Sequence, residues 1–130
     1  MTNNLHRAAL RTSILAAAVL LAACGSTGGS SGPAPSVPAG GAVITANGLK
    51  FDRAELTIPA GKAFQLLFEN REGAPHNVRI YGDNVDQPLF TGEVFTGPGS
   101  RTYDVPAIPA GTYKFRCDVH TDMAGTVTAS

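Results

Sequence analysis

From Val43 onward, apolar residues recur at every second position in short runs, the spacing of strands that bury one face. The clearest run sets Phe64, Leu66 and Phe68 on one face and Gln65 and Glu69 on the other, which predicts a half-buried strand. Leu56 and Ile58 precede it across Pro59-Ala60-Gly61-Lys62. There Pro presets one dihedral and Gly accepts the unusual one, so a hairpin-like corner is predicted. Further on, Val78 and Ile80 share a face with His76, Tyr103 with Val105, and Tyr113 and Phe115 with Cys117, while Val127 and Ala129 close the series. Between Tyr81 and Gly99, the pairs Asp83-Asn84 and Gln87-Pro88 and the run Gly97-Pro98-Gly99 interrupt the alternation. This stretch is predicted to be a long connection with one short strand around Phe90 to Phe95. Seven or eight short strands with turn residues between them, and no internal repeat, predict an all-β fold, a Greek-key β-sandwich, over residues 42–130.

The first part of the chain has a different pattern. Arg7 and Arg11 precede an uninterrupted apolar run from Ile14 to Ala23, too short to span a bilayer comfortably and with no acidic residue before it. Residues 1–23 therefore read as an export signal. The run ends in Leu21-Ala22-Ala23-Cys24-Gly25, which resembles the lipobox of bacterial lipoproteins, where the signal is cleaved before a cysteine that becomes lipidated. Residues 24–41 then comprise the lipidated Cys24 and a tether of mostly Gly, Ser, Pro and Ala, with too little apolar surface to offset the entropy of ordering. Its first half is flexible, and Pro33, Pro35 and Pro38 extend the second. The expectation is an exported monomer held on the outer face of a bacterial membrane, the cell membrane or one facing the periplasm, through lipid on Cys24.

Composition changes this picture little. The 130 residues leave room for one domain, and a formal net charge of +0 gives no bias toward nucleic acid. Removing the signal takes away two arginines and no acid, leaving eight basic against ten acidic residues and a net charge of −2. Tryptophan is absent, while 15 glycines and 9 prolines fit a turn-rich β domain.

The chemistry is concentrated in two places. His6 lies in the signal; beyond it the chain has two histidines, His76 and His120, one cysteine besides Cys24, and Met123. His76 follows a predicted turn at Glu72-Gly73-Ala74-Pro75, and the other three fall within Cys117-Asp118-Val119-His120-Thr121-Asp122-Met123. Taken singly, a strand cysteine is usually a small buried hydrophobe and a methionine core filler. Together, a thiolate, two imidazoles and a weak thioether are the donor set of the trigonal copper site used for electron transfer. The C-x-x-H-x-x-M spacing requires a loop, because on a straight strand these residues would alternate faces or lie too far apart. Gly125 is expected to let the chain turn back into the last strand.

At this point the sequence resembles the cupredoxins, the plastocyanin and azurin family of blue copper proteins, over residues 43 to 130. Pro75-His76-Asn77-Val78 is similar to the family's first histidine followed by asparagine, and Gly111-Thr112-Tyr113-Lys114-Phe115-Arg116-Cys117-Asp118-Val119-His120 to its last strand and ligand loop. The tight loop looks most like that of amicyanin. The resemblance implies one type 1 copper, with His76, Cys117 and His120 as strong equatorial ligands and Met123 axial. It also implies that Asn77 ties the two ligand segments together and points its backbone N–H at the Cys117 sulfur. His120 would be the partly exposed ligand and the exit point for the electron, with Ala74, Pro75 and Val119 as apolar docking surface. Thr121 departs from the pattern, since family members with this loop often carry proline there; threonine restores an N–H to the loop. Asp118 and Asp122 read as solvated loop charges.

The expected function is therefore a shuttle of single electrons between redox proteins, not an enzyme. An extracytoplasmic protein for copper delivery or buffering would use similar ligands but needs exchange rather than rigidity. A zinc enzyme on Cys117, His76 and His120 would need an open fourth position and a general base, for which only Asp118 and Asp122 are available. A plain adhesive β-sandwich would make the four residues a coincidence.

Overall fold

The structure, a computed structural model, describes residues 36–37 and 39–130. The export signal, Cys24 and most of the tether lie outside the described residues. Ten strands follow in chain order: β1 (Ala42–Ala46), β2 (Glu55–Ile58), β3 (Phe64–Asn70), β4 (Pro75–His76), β5 (Arg79–Tyr81), β6 (Pro88–Thr91), β7 (Phe95–Thr96), β8 (Gly99–Val105), β9 (Gly111–Arg116) and β10 (Ala124–Ala129). The count exceeds the expected seven or eight because β4 and β7 are two-residue strands that pair only with each other. Among the described residues there is no helix, and the all-β sandwich is as expected.

Two sheets form its layers. One has the order β1-β3-β8 and the other β2-β10-β9-β5-β6. Alternation directs Ile44, Leu66, Phe68 and Val105 from the first sheet, and Leu56, Ile58, Ile80, Phe115 and Val127 from the second, into one core. Burying each such side chain stabilises the fold by about 1.5–3 kcal/mol. Phe51 stands against both Phe68 and Phe115, with ring centroids 6.4 and 5.2 Å away, and so bridges the layers.

Three local expectations are corrected. The Pro59–Lys62 turn is a corner between sheets rather than a hairpin, since β2 pairs in parallel with β10 and β3 in parallel with β1. Gly61 does adopt the positive φ of 67° that the turn requires. The 81–99 connection carries two short strands in different sheets, β6 and β7, instead of one. They separate at Gly92, whose N–H donates to the Val78 carbonyl at 2.8 Å. Gly125 is not a turn residue: it lies within β10, where an added Cβ would come within 2.5 Å of the Phe115 ring and of the Ala54 carbonyl oxygen. Glycine is there because the neighbouring strand and core ring leave no room for a side chain.

The β9–β10 hairpin positions the chemistry. Arg116 pairs with Ala124, so residues 117–123 form the whole connecting loop at one end of the five-stranded sheet. β4 and its preceding turn come to the same end, with His76 paired to Phe95.

Candidate metal centre

The four predicted ligand residues are brought together. The Cys117 sulfur lies 3.8 Å from Nδ1 of His76 and 3.9 Å from Nδ1 of His120, and the two Nδ1 atoms are 3.2 Å apart. First-row metals bind imidazole nitrogen and thiolate sulfur at about 2.0–2.3 Å, so three ligand atoms with these separations can share one ion. His76 and Cys117 are fully buried, Met123 nearly so, and His120 is partly exposed. The loop closes on itself: Cys117 N–H donates to the Met123 carbonyl and Met123 N–H to the His120 carbonyl, each at 2.9 Å. These two bonds fold the C-x-x-H-x-x-M run into a compact turn and bring Met123 back beside Cys117.

Asn77 joins the two ligand-bearing segments. Its side chain donates to the Asp118 carboxylate at 2.8 Å and to the Gly92 carbonyl at 3.0 Å, and accepts the Asp118 N–H at 2.8 Å. The amide is buried, so these bonds form where water does not compete.

Asp118 differs from its sequence reading. Rather than a solvated loop charge, it is half-buried, with Oδ1 2.9 Å from Arg79 Nε and 3.9 Å from Arg116 Nε. The Arg79 approach is an ion pair without hydrogen-bond alignment. Asp118 is drawn inward by Asn77 and by the arginines that β5 and β9 place opposite each other. Asp122 is exposed, as read. Of the residues expected at a docking surface, Pro75 and Val119 are exposed and Ala74 and His120 partly so.

Sequence reasoning missed two residues. Asn70, at the end of β3, donates to the carbonyls of Ala74 at 2.7 Å and Phe95 at 3.1 Å and accepts the Glu72 N–H at 3.1 Å, bracing the turn that leads to His76. In the sequence Glu72 stands out only as a turn residue, yet its carboxylate lies 2.8 Å from His76 Nε2. The Leu49 N–H, which donates to the same oxygen, holds this carboxyl below the usual glutamate range. The i to i+4 spacing of Glu72 and His76 was the only signal, and in a turn it fixes no contact.

A small antiparallel and parallel β-sandwich that gathers one thiolate, two imidazoles and a thioether at one end defines a single-metal redox module. The chain belongs to the cupredoxin-like domain family, whose model matches residues 13–129. Plastocyanin A/B of Petroselinum crispum is 34% identical over 90 residues, spanning 64% of this chain and 90% of that one. The solved amicyanin of Paracoccus versutus is 32% identical with a TM-score of 0.56, covering 72% of this chain and 85% of that one. Dithionite-reduced auracyanin of Roseiflexus castenholzii, with a TM-score of 0.60 over 68% of this chain and 94% of that one, is 22% identical and so shares the fold alone. The donor set and its spacing fit a single type 1 copper, and the protein is a blue copper cupredoxin.

Replacing Asn77 with alanine leaves buried partners unmatched, and is expected to destabilise the metal-free protein by about 1–3 kcal/mol. The change is read as a lower urea midpoint; an unchanged midpoint would show that the Asn77 bonds contribute nothing to joining the two segments.

Proposed function

We propose that this protein carries single electrons between redox proteins outside the cytoplasm, anchored to the outer face of a bacterial membrane by lipid on Cys24. The observation that carries the reading is the convergence of the Cys117 sulfur and two Nδ1 atoms, with one imidazole fully buried and the other partly exposed. In this reading His76, Cys117 and His120 hold the copper strongly and Met123 weakly, and the backbone N–H of Asn77 faces the thiolate. When bound, copper supplies a one-electron Cu(II)/Cu(I) couple.

The chain's part is to keep the donors still. Cys117 and His76 sit in a packed interior, and both loops are hydrogen-bonded to each other, so the ligand atoms move little when the charge at the site changes. His120 gives the shortest way to solvent. Around it, Ala74, Pro75 and the 45%-exposed Val119 offer an apolar surface on which a redox protein docks briefly. The electron donor and acceptor are redox proteins of this weakly associating kind, and the carrier is a monomer. The tether of Gly, Ser and Pro lets the domain sweep the membrane surface.

Val119→Lys places a charge at this surface without touching a ligand. Electron self-exchange between oxidised and reduced copies, followed by NMR line broadening, is expected to slow by about tenfold, equivalent to about 1.4 kcal/mol of lost encounter stability. The visible spectrum should stay unchanged; an unchanged rate with that spectrum would remove the docking surface from the account. Cys24→Ser is expected to move the protein from the membrane pellet to the soluble extracytoplasmic fraction, and retention in the pellet would refute the lipid anchor.

A further inference from the structure

Three cations share the outer face of the five-stranded sheet. Along β9, Phe115 is buried in the core, so Lys114 and Arg116 point outward; along β5, Ile80 points in and Arg79 and Tyr81 point out. The register sets Arg79 opposite Arg116 and Tyr81 opposite Lys114, a block of four side chains on two adjacent strands. The next strands place exposed, uncharged residues beside it: Thr91 next to Arg79, Ala124 next to Arg116 and Thr126 next to Lys114. Short side chains therefore border the block and leave it open to solvent.

Like charges directly opposite each other on a sheet are destabilising, so the Arg79–Arg116 pair calls for an anion. Asp118 is the one carboxylate that answers it, with Oδ1 2.9 Å from Arg79 Nε and 3.9 Å from Arg116 Nε. Lys114 is exposed and enters no ion pair among the described residues. The same holds for Asp83 and Asp86, in the loop after β5, and for Glu55, two strands from Lys114. Elsewhere Arg53 is matched by Asp52 and Arg71 by Glu69, each at 2.6 Å. The block thus keeps a local excess of positive charge on a chain that, without its signal, has a net charge of −2.

We infer that this face docks an acidic segment of a partner protein, separately from the apolar surface around His120. None of the four residues is a proposed metal ligand, so the inference does not depend on the copper reading.

Two of the three cations are already held. The Arg79 and Arg116 side chains are 23% and 27% exposed; Arg79 Nη1 donates to the Val85 carbonyl at 3.1 Å, and the Arg116 guanidinium carbon stands 5.8 Å from the centre of the Tyr81 ring. Binding to ordered side chains costs less entropy than binding to free ones. The planar guanidinium fork matches a carboxylate, and Arg and Tyr are residue types on which protein interfaces concentrate their energy. Because the rest of the domain is acidic, an acidic partner is steered to this face and repelled from others. Cytoplasmic-leaflet lipids are typically held by clusters of about four to eight cations, more than this block supplies.

The test is a titration of the isotope-labelled full chain with a hexaglutamate peptide at low ionic strength, followed by amide NMR shifts. Saturable shifts centred on Tyr81, Lys114 and Arg116, weakened by added salt, are expected. Lys114→Glu is expected to weaken binding about tenfold, since it reverses an exposed charge at the centre of the face. Lys62→Glu makes the same change of charge on the exposed turn before β3, at the end of the sandwich away from Asn70 and the metal centre, and is expected to leave binding unchanged. Equal losses in the two variants would show that net charge alone matters and would overturn the inference, as would the absence of saturable shifts. Vesicles of phosphatidylglycerol and phosphatidylcholine in equal parts are expected not to displace the peptide. Displacement by them and not by phosphatidylcholine vesicles would assign the face to lipid headgroups and overturn the reading as a protein-docking surface.

Discussion

The hydrogen bonds of one buried amide hold the centre together. Asn77 follows His76 directly, and Asp118 follows Cys117, so the bonds between Asn77 and Asp118 fix two ligands that lie 41 residues apart in sequence. Without that link, bringing a thiol and an imidazole together in a dry interior would cost the desolvation of both and the entropy of closing a long loop. With it, the Asn77 amide, the Asp118 N–H and one Asp118 carboxylate oxygen are hydrogen-bonded, which offsets part of that cost. The third bond of Asn77, to Gly92, ties in the segment after β6, so three stretches of chain meet at this one side chain.

The sandwich supplies the frame. β9 and β10 are paired along their length, and their connecting loop has only the residues needed to bring Cys117, His120 and Met123 to one point. On the other side, Asn70 braces the turn before His76, and the Glu72 carboxylate lies against the ring that the turn delivers. Among the four ligand residues only His120 is partly exposed, and it is the one beside the exposed Val119.

The sequence made some of this plain and hid the rest. The strands of the core were legible because period-two alternation is local, as at Phe64, Leu66 and Phe68. The loop ligands were legible because Cys117, His120 and Met123 fall within seven residues and no other Cys, His or Met competes outside the N-terminal segment. What was hidden depends on long-range placement. Asp118 looks like a loop charge until β5 sets Arg79 across from Arg116; Gly125 looks like a turn until Phe115 and Ala54 are seen against it. The partition of 81–99 into strands of two different sheets follows from a bond between Gly92 and Val78 that no local pattern announces. Glu72 acts through a turn whose shape is set by Asn70, so its contact with His76 is a product of the fold.

The most direct test of the account is a titration of the metal-free protein with Cu(II), followed by visible absorption and paramagnetic resonance and then by reduction. One copper per chain, an intense thiolate charge-transfer band, narrow copper hyperfine splitting and reversible bleaching on reduction are the expected results. A pale spectrum with wide hyperfine splitting, or no binding, would contradict the central claim that Cys117 and the two imidazoles hold a type 1 copper.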